Sequence, residues 1–284
     1  MSDEPTESQI VDALSASGFL LEQEVATAFE AAGFYAKTGR AFTDPEEGTS
    51  REIDVHGFWR SLHDEARRRA IYVQLLCECK NTSNPFVFLA RRKSVADLER
   101  SPSEYQFPMR FVQVPHGTGY TETPPFRHFG LSAHHYQFQK ELKAVQIVRL
   151  NRRGKEWAAD NNSVFTSLVY PLAKALRDFQ KSHKYTMGPM KPGMPVEATG
   201  GQYAHASLYF PMVVVPSPLW IVDVHRDPVV PERVPFITLE RELKSTSLTG
   251  RFAIDFVQQE HLPDFLASCV IPFASSVKDA LWPG

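Results

Sequence analysis

The stretch from Ile71 to Lys80 reads Ile-Tyr-Val-Gln-Leu-Leu-Cys-Glu-Cys-Lys. From Tyr72 to Cys77 it is rich in strand formers and nearly all apolar, whereas a strand with one wet face alternates apolar with polar. The reading is a central strand covered on both faces. Such cover needs a real core, and 284 residues with 43% hydrophobic and 23% charged side chains can provide one. Those proportions exclude a disordered chain and a coiled coil. The expectation is one elaborated domain over residues 1–284.

Residues 6 to 33 predict two helices, since Ile10, Val11 and Leu14 and then Leu21, Val25, Ala28, Phe29 and Ala32 recur at helical spacing. Gly18 separates them, Ser17 is expected to cap the second, and Gly33 to end it in a left-handed conformation. Phe34 to Thr43 and Arg51 to Trp59 flank the turn-rich run from Asp44 and predict a hairpin. In residues 81–161 periodicity fades while Pro, His and aromatic residues accumulate, which predicts an irregular insertion. A helical stripe returns at Val164, Leu168, Leu172, Ala175, Leu176 and Phe179, with a kink expected at Pro171. Leu208 to Val215 and Leu219 to Val224 read as a second hairpin across Pro216-Ser217-Pro218. Phe252 to Val257 reads as a strand, and Leu262 to Leu281 as helical segments broken by Pro272.

The charges within these strands carry the chemistry. Period two puts Glu52, Asp54 and His56 on one face of the second strand, with Ile53 and Val55 on the other. In the third it puts Leu76, Glu78 and Lys80 on one face and Leu75, Cys77 and Cys79 on the opposite one. Isolated charges in a buried strand are costly to desolvate, so they neutralise one another or hold a cation. Mg²⁺ takes hard oxygen ligands, which suits Asp54 and Glu78 on neighbouring strands, with Lys80 as a point charge beside a phosphate. A plain salt bridge between Glu78 and Lys80 is the alternative.

Ile53-Asp54-Val55 and Glu78-Cys79-Lys80 resemble the signature of the PD-(D/E)xK nuclease superfamily. Gly18-Phe-Leu-Leu-Glu22-Gln-Glu-Val25-Ala26, then Gly33-Phe34, resembles the first helix of its Mrr-like and archaeal junction-resolvase-like members, where a Glu assists the metal. Helical angles leave Glu22 and Glu24 equivalent; the choice of Glu22 rests on the resemblance. The resemblance covers residues 17–80, and the helix at 163–183 with the strand at 208–215 completes the core. The Pro of the family name is absent, since Ile53 precedes Asp54. The resemblance implies an α/β, restriction-endonuclease-like core of helix, three strands, helix and strand, with a large insertion at 81–161 and a C-terminal strand/helix extension. It also implies a metal-dependent endonuclease or phosphodiesterase acting on nucleic acid, DNA foremost, in restriction, repair or defence. Its catalytic residues would be Asp54, Glu78, Lys80 and Glu22, with Mg²⁺ or Mn²⁺ on Asp54 and Glu78. A catalytically inactive nuclease fold that binds nucleic acid or protein is the alternative.

With 31 basic and 33 acidic side chains the net charge is −2, so a polyanion must be met by a local patch. Arg91, Arg92, Lys93, Arg149, Arg152, Arg153 and Lys155 are the candidates, with Tyr105, Phe107 or Tyr120 to stack on bases. His56 shares the Asp54 face and is a candidate to orient a phosphate, whereas His116, His128, His134 and His135 read as loop or surface residues. Cys77 and Cys79 read as core thiols, not zinc ligands. No Walker loop or dinucleotide glycine motif follows a strand. Three cysteines, no basic-then-apolar leader and no long apolar run predict a soluble cytoplasmic chain without a membrane partner. A homodimer stays open.

Overall fold

The computed structural model describes residues 4–161, 164–198 and 200–283; the expected helix start at 163 lies outside them. Helix α1 (Glu7–Ser17) opens on a capping box between Thr6 and Gln9 and ends at Gly18, whose φ of 88° suits a residue without Cβ. Helix α2 (Phe19–Ala31) starts directly from Gly18, so Gly18 and not Ser17 is its N-cap. Leu21, Val25, Ala26 and Phe29 give α2 its buried face. The expected hairpin follows as β1 (Tyr35–Thr43) and β2 (Ser50–Asp64), and the central strand as β3 (Arg69–Cys79).

Residues 81–161 are far more regular than their composition suggests. They contain β4 (Phe86–Arg92), α3 (Val95–Leu98), β5 (Tyr105–Gln106), β6 (Val112–His116), β7 (Gly119–Thr123), α4 (Pro125–His128), β8 (Leu142–Arg153) and β9 (Glu156–Asp160). Phe86, Phe88 and Ala90 alternate inward along β4, a period too short to stand out among the prolines and histidines around it. The second main helix is α5 (Tyr170–Gln180), then β10 (Ala204–Val215), β11 (Leu219–Asp223), β12 (Pro231–Val234), β13 (Phe236–Lys244), β14 (Thr249–Gln258), α6 (Leu262–Phe265) and α7 (Ile271–Leu281). Pro171 and Pro272 each lack an N–H and crowd the preceding turn, and each follows a π-helical turn, at Phe165–Val169 and Leu266–Val270.

The architecture is mixed α/β around a 12-stranded sheet ordered β1-β2-β3-β10-β14-β13-β8-β4-β11-β12, with β5 on β10 and β9 on β8. β10 pairs in parallel with both β3 and β14, so neither of its edges is free for β11. The expected second hairpin is therefore wrong: β11 pairs with β4 and β12. Pro216 and Pro218 cannot donate to a tight turn, which suits a crossing. Because β11 starts four residues after β10 ends, a span of ~14 Å at most, the sheet must curl back on itself. Phe88 of β4 meets Phe256 of β14 across that curl at 5.0 Å. One core lies between the sheet and α2, α6 and α7; a second is enclosed with α5.

Candidate active site

The site residues gather where strand pairing stops. The ladder between β2 and β3 begins at Val55↔Cys77. Asp54, one residue outside it, turns its carboxylate onto β3, and the Cys79 amide donates to Oδ2 at 2.6 Å. The side chain thus takes the place of a ladder partner. Strict alternation would keep Ile53 and Val55 together, but Ile53 packs in the α5 core and Val55 in the α2 core, so β2 rotates at Asp54. On β1, Gly39 permits this. It lies between the pairs Thr38↔Val55 and Arg40↔Ile53 and takes φ +60°. Other residues resist that conformation, and a Cβ there would stand 3.3 Å from Glu52 Oε2. A lone glycine inside a strand pattern is the sequence signal for such a kink.

Glu78 lies opposite Val213 of β10, and the Lys80 amide donates to Val214 O at 2.9 Å, which carries the pairing past the end of β3. Cys77 packs in the α2 core with Cys79 beside it, sulfurs 4.0 Å apart and both free. Glu22 enters from the first turn of α2, half-buried at the edge of the helix's apolar face. Asn81, next after Lys80, donates from its side chain to Ser15 O and so ties this end of β3 to the end of α1. Glu24 is exposed and turns away to accept from Gln259 Nε2.

Three carboxyls crowded together oppose one another's ionisation. Burial, then Asp54 and then Glu22 push Glu78 up to about 9, against the pull of Lys80. Burial also raises Asp54, while the Cys79 amide and Lys80 draw it back, and burial followed by Asp54 raises Glu22. Glu78 Oε1 is buried without a hydrogen-bond partner. Among the described residues Glu78 forms no ion pair with Lys80, so the simple strand-end salt bridge is not the arrangement found. Asp54 and Glu78 supply the hard oxygen donors that a divalent cation takes, one or two carboxylates with waters completing its shell, and Glu78 Oε1 is free to join such a set. Among the described residues no three or more His, Cys, Asp or Glu side chains are gathered into a ready-made cation cage.

His56 bonds to Gln74 at 3.2 Å and packs on Phe179 at 5.0 Å. Burial lowers it to about 4, countered by Gln74 and aided by Arg40 and Lys37, so it is neutral at pH 7. The basic candidates divide by position. Asn84 bonds to Asn151 at 2.9 Å, and the Leu150 amide to Pro85 O at 2.9 Å. These bonds hold the β8–β9 hairpin against the chain four residues beyond Lys80, ~14 Å at most. Arg152 and Arg153 are exposed there, while Arg149 stands 3.9 Å from Asp160. Arg91 and Arg92 lie at the other end of β4, roughly 20 Å from Phe86. Lys93 donates to the carbonyls of Gln137 and Lys140, which makes it a loop clamp. Tyr105 and Phe107 are buried, and the Tyr105 hydroxyl bonds to His135 Nε2 at 2.6 Å, so neither ring is open to a base. His135 is fully buried, contrary to its surface reading; Tyr120 is exposed.

No helix among the described residues is long and apolar enough to cross a membrane. No family model, no curated protein and no solved structure matches the chain.

Proposed function

We propose that the chain is a metal-dependent phosphodiesterase acting on nucleic acid, DNA foremost, on a restriction-endonuclease-like core of α2, β1 to β3, α5 and β10. The observation that carries the reading is the unpartnered, buried Glu78 oxygen in mutual repulsion with Asp54 and Glu22. Such crowding disfavours the ionised carboxylates, and a cation would relieve it. Asp54 and Glu78 would hold Mg²⁺ or Mn²⁺, with Glu22 reaching it through water. A divalent cation there acidifies water and neutralises charge on a phosphate. The Cys79 amide keeps Asp54 aimed at the cluster. Lys80 brings positive charge to the developing negative charge on phosphate and orients the attacking water. Arg152 and Arg153 counter the repulsion that three carboxylates exert on an incoming polyanion.

One observation favours a second reading, a catalytically inactive module that binds nucleic acid or protein: the lack of a ready-made cation cage among the described residues. Calorimetric titration with Mn²⁺ separates the two. The nuclease reading expects saturable binding that Glu78→Ala abolishes. No binding by the wild type, or binding unchanged in the variant, favours the module.

A further inference from the structure

A row of rings crosses the sheet on the face of β3 that carries Glu78. Period two sets Tyr72, Gln74, Leu76 and Glu78 on that face. Tyr35 of β1 pairs with Phe58 of β2. Phe58 stacks on Tyr72, centroids 5.9 Å apart and planes 24° apart. Tyr72 meets His205 of β10 at 5.9 Å, His205 meets His183 at 4.6 Å, and His183 meets Tyr185 at 5.5 Å. Nearer the start of β3, His63 stacks on Tyr203 at 5.4 Å and 7°. Helix α5 covers the inner part of this face and ends at Gln180, which leaves the row beyond its cover. The two ends, Tyr35 and Tyr185, are 70% and 53% exposed, and the rings between them are half-buried.

Cross-strand aromatic pairs stabilise any sheet, and that accounts for Phe58 on Tyr72. It accounts neither for the exposed ends nor for the charge around the row. Lys37, Arg60 and Lys184 are exposed beside it, Arg40 lies over Phe179 at 5.9 Å, and none of the four meets an acid among the described residues. Burial lowers His183, to about 4, and His205, so both present neutral π faces. His56, Gln74 and Phe179 fill the interval between the row and Asp54. From Tyr72 to Glu78 the distance along β3 is about 20 Å.

We propose that the row is a platform for single-stranded nucleic acid, with unpaired bases stacking on Tyr35, Phe58, Tyr72 and Tyr185 and phosphates meeting Lys37, Arg40, Arg60 and Lys184. The strand then runs along β3 toward Glu78, and only that last step rests on the nuclease reading. Every base has a π face, so such a platform tolerates sequence, whereas a duplex hides its base faces and gains only from charge.

Fluorescence anisotropy with a labelled oligothymidylate and with a hairpin duplex of equal nucleotide count, without added metal, tests this. The single strand is expected to bind at least tenfold tighter than the duplex. Tyr35→Ala combined with Tyr185→Ala should weaken it by roughly tenfold per ring, while Tyr35→Phe with Tyr185→Phe keeps the affinity. Both positions are exposed, and thermal melting checks that the variants stay folded. Equal affinity for single strand and duplex, or no effect of the alanine pair, overturns the platform. A chain that binds through these rings yet cuts nothing with Mg²⁺ keeps the platform and defeats the nuclease reading. A chain that cuts DNA with Mg²⁺ yet binds the single strand no tighter than the duplex and without dependence on the rings does the reverse.

Discussion

Glu78 is where the electrostatic account is most exposed to test. Its pKa in the folded chain stands near 9, far above the ordinary carboxylate value. A group raised on folding contributes stability that is present below its unfolded pKa and lost as pH rises through the folded one. In the metal-free protein Glu78→Gln should therefore have little effect on Tm near pH 4, begin to raise it as pH climbs past the ordinary carboxylate range, and raise it most at pH 9.5, read by scanning calorimetry. A structural ion pair with Lys80 would give the opposite sign. Asp54, Glu78 and Lys80 were legible because charged letters stand out in and beside apolar runs, whereas only the resemblance picked Glu22 over Glu24. The devices that hold them were not: the Cys79 amide has no letter of its own, and the rotation at Gly39 interrupts the alternation by which faces are assigned. Tyr105 and His135 likewise pair across 30 residues, a separation at which an aromatic letter does not say whether it faces core or solvent.

At the scale of elements, the β1–β2 hairpin is clamped to α5 through its turn. Asp44, wholly buried, meets Lys174 Nζ at 2.8 Å and Arg51 Nε at 2.7 Å, while the amides of Glu46 and Glu47 donate to its other oxygen. Glu46 adds a second contact to Lys174 at 3.1 Å. Asp44→Ala leaves Lys174 half-compensated and should cost roughly 2–3 kcal/mol, below the value for a deep pair because the turn sits near the surface. Urea unfolding reads that loss, and an unchanged midpoint would show that the clamp does not hold the hairpin. The hairpin itself was legible from two alternating runs around a turn-rich segment. Its clamp was not, because Asp44 and Lys174 lie 130 residues apart. The false second hairpin has a related cause. Apolar letters on both faces of β10 say that it is central, and a central strand has no edge left for the next strand in sequence.

Across the whole molecule, the curl of the sheet decides which basic residues lie near the end of β3. It brings Arg152 and Arg153 beside the segment that leaves Lys80 and puts Arg91 and Arg92 at the far end of β4. Nothing in the spacing of these residues announces that division, since both groups fall within residues 81–161. Replacing Arg152 and Arg153 by Ala should flatten the salt dependence of DNA binding by about one to two units of log K per log salt, and the Arg91 and Arg92 pair by less. A slope unmoved by the first pair would remove the hairpin from the nucleic-acid surface. The central claim, that Asp54, Glu78, Glu22 and Lys80 form a metal-dependent phosphodiesterase centre, is tested most directly by cleavage time courses. Wild type and Lys80→Ala are compared on single-stranded and duplex DNA, with Mg²⁺, with Mn²⁺ and with neither. The account predicts cleavage by the wild type only when a metal is present, slowed at least ~10²-fold in Lys80→Ala. Wild-type protein inert toward every substrate with both metals, or Lys80→Ala cutting at the wild-type rate, would contradict it.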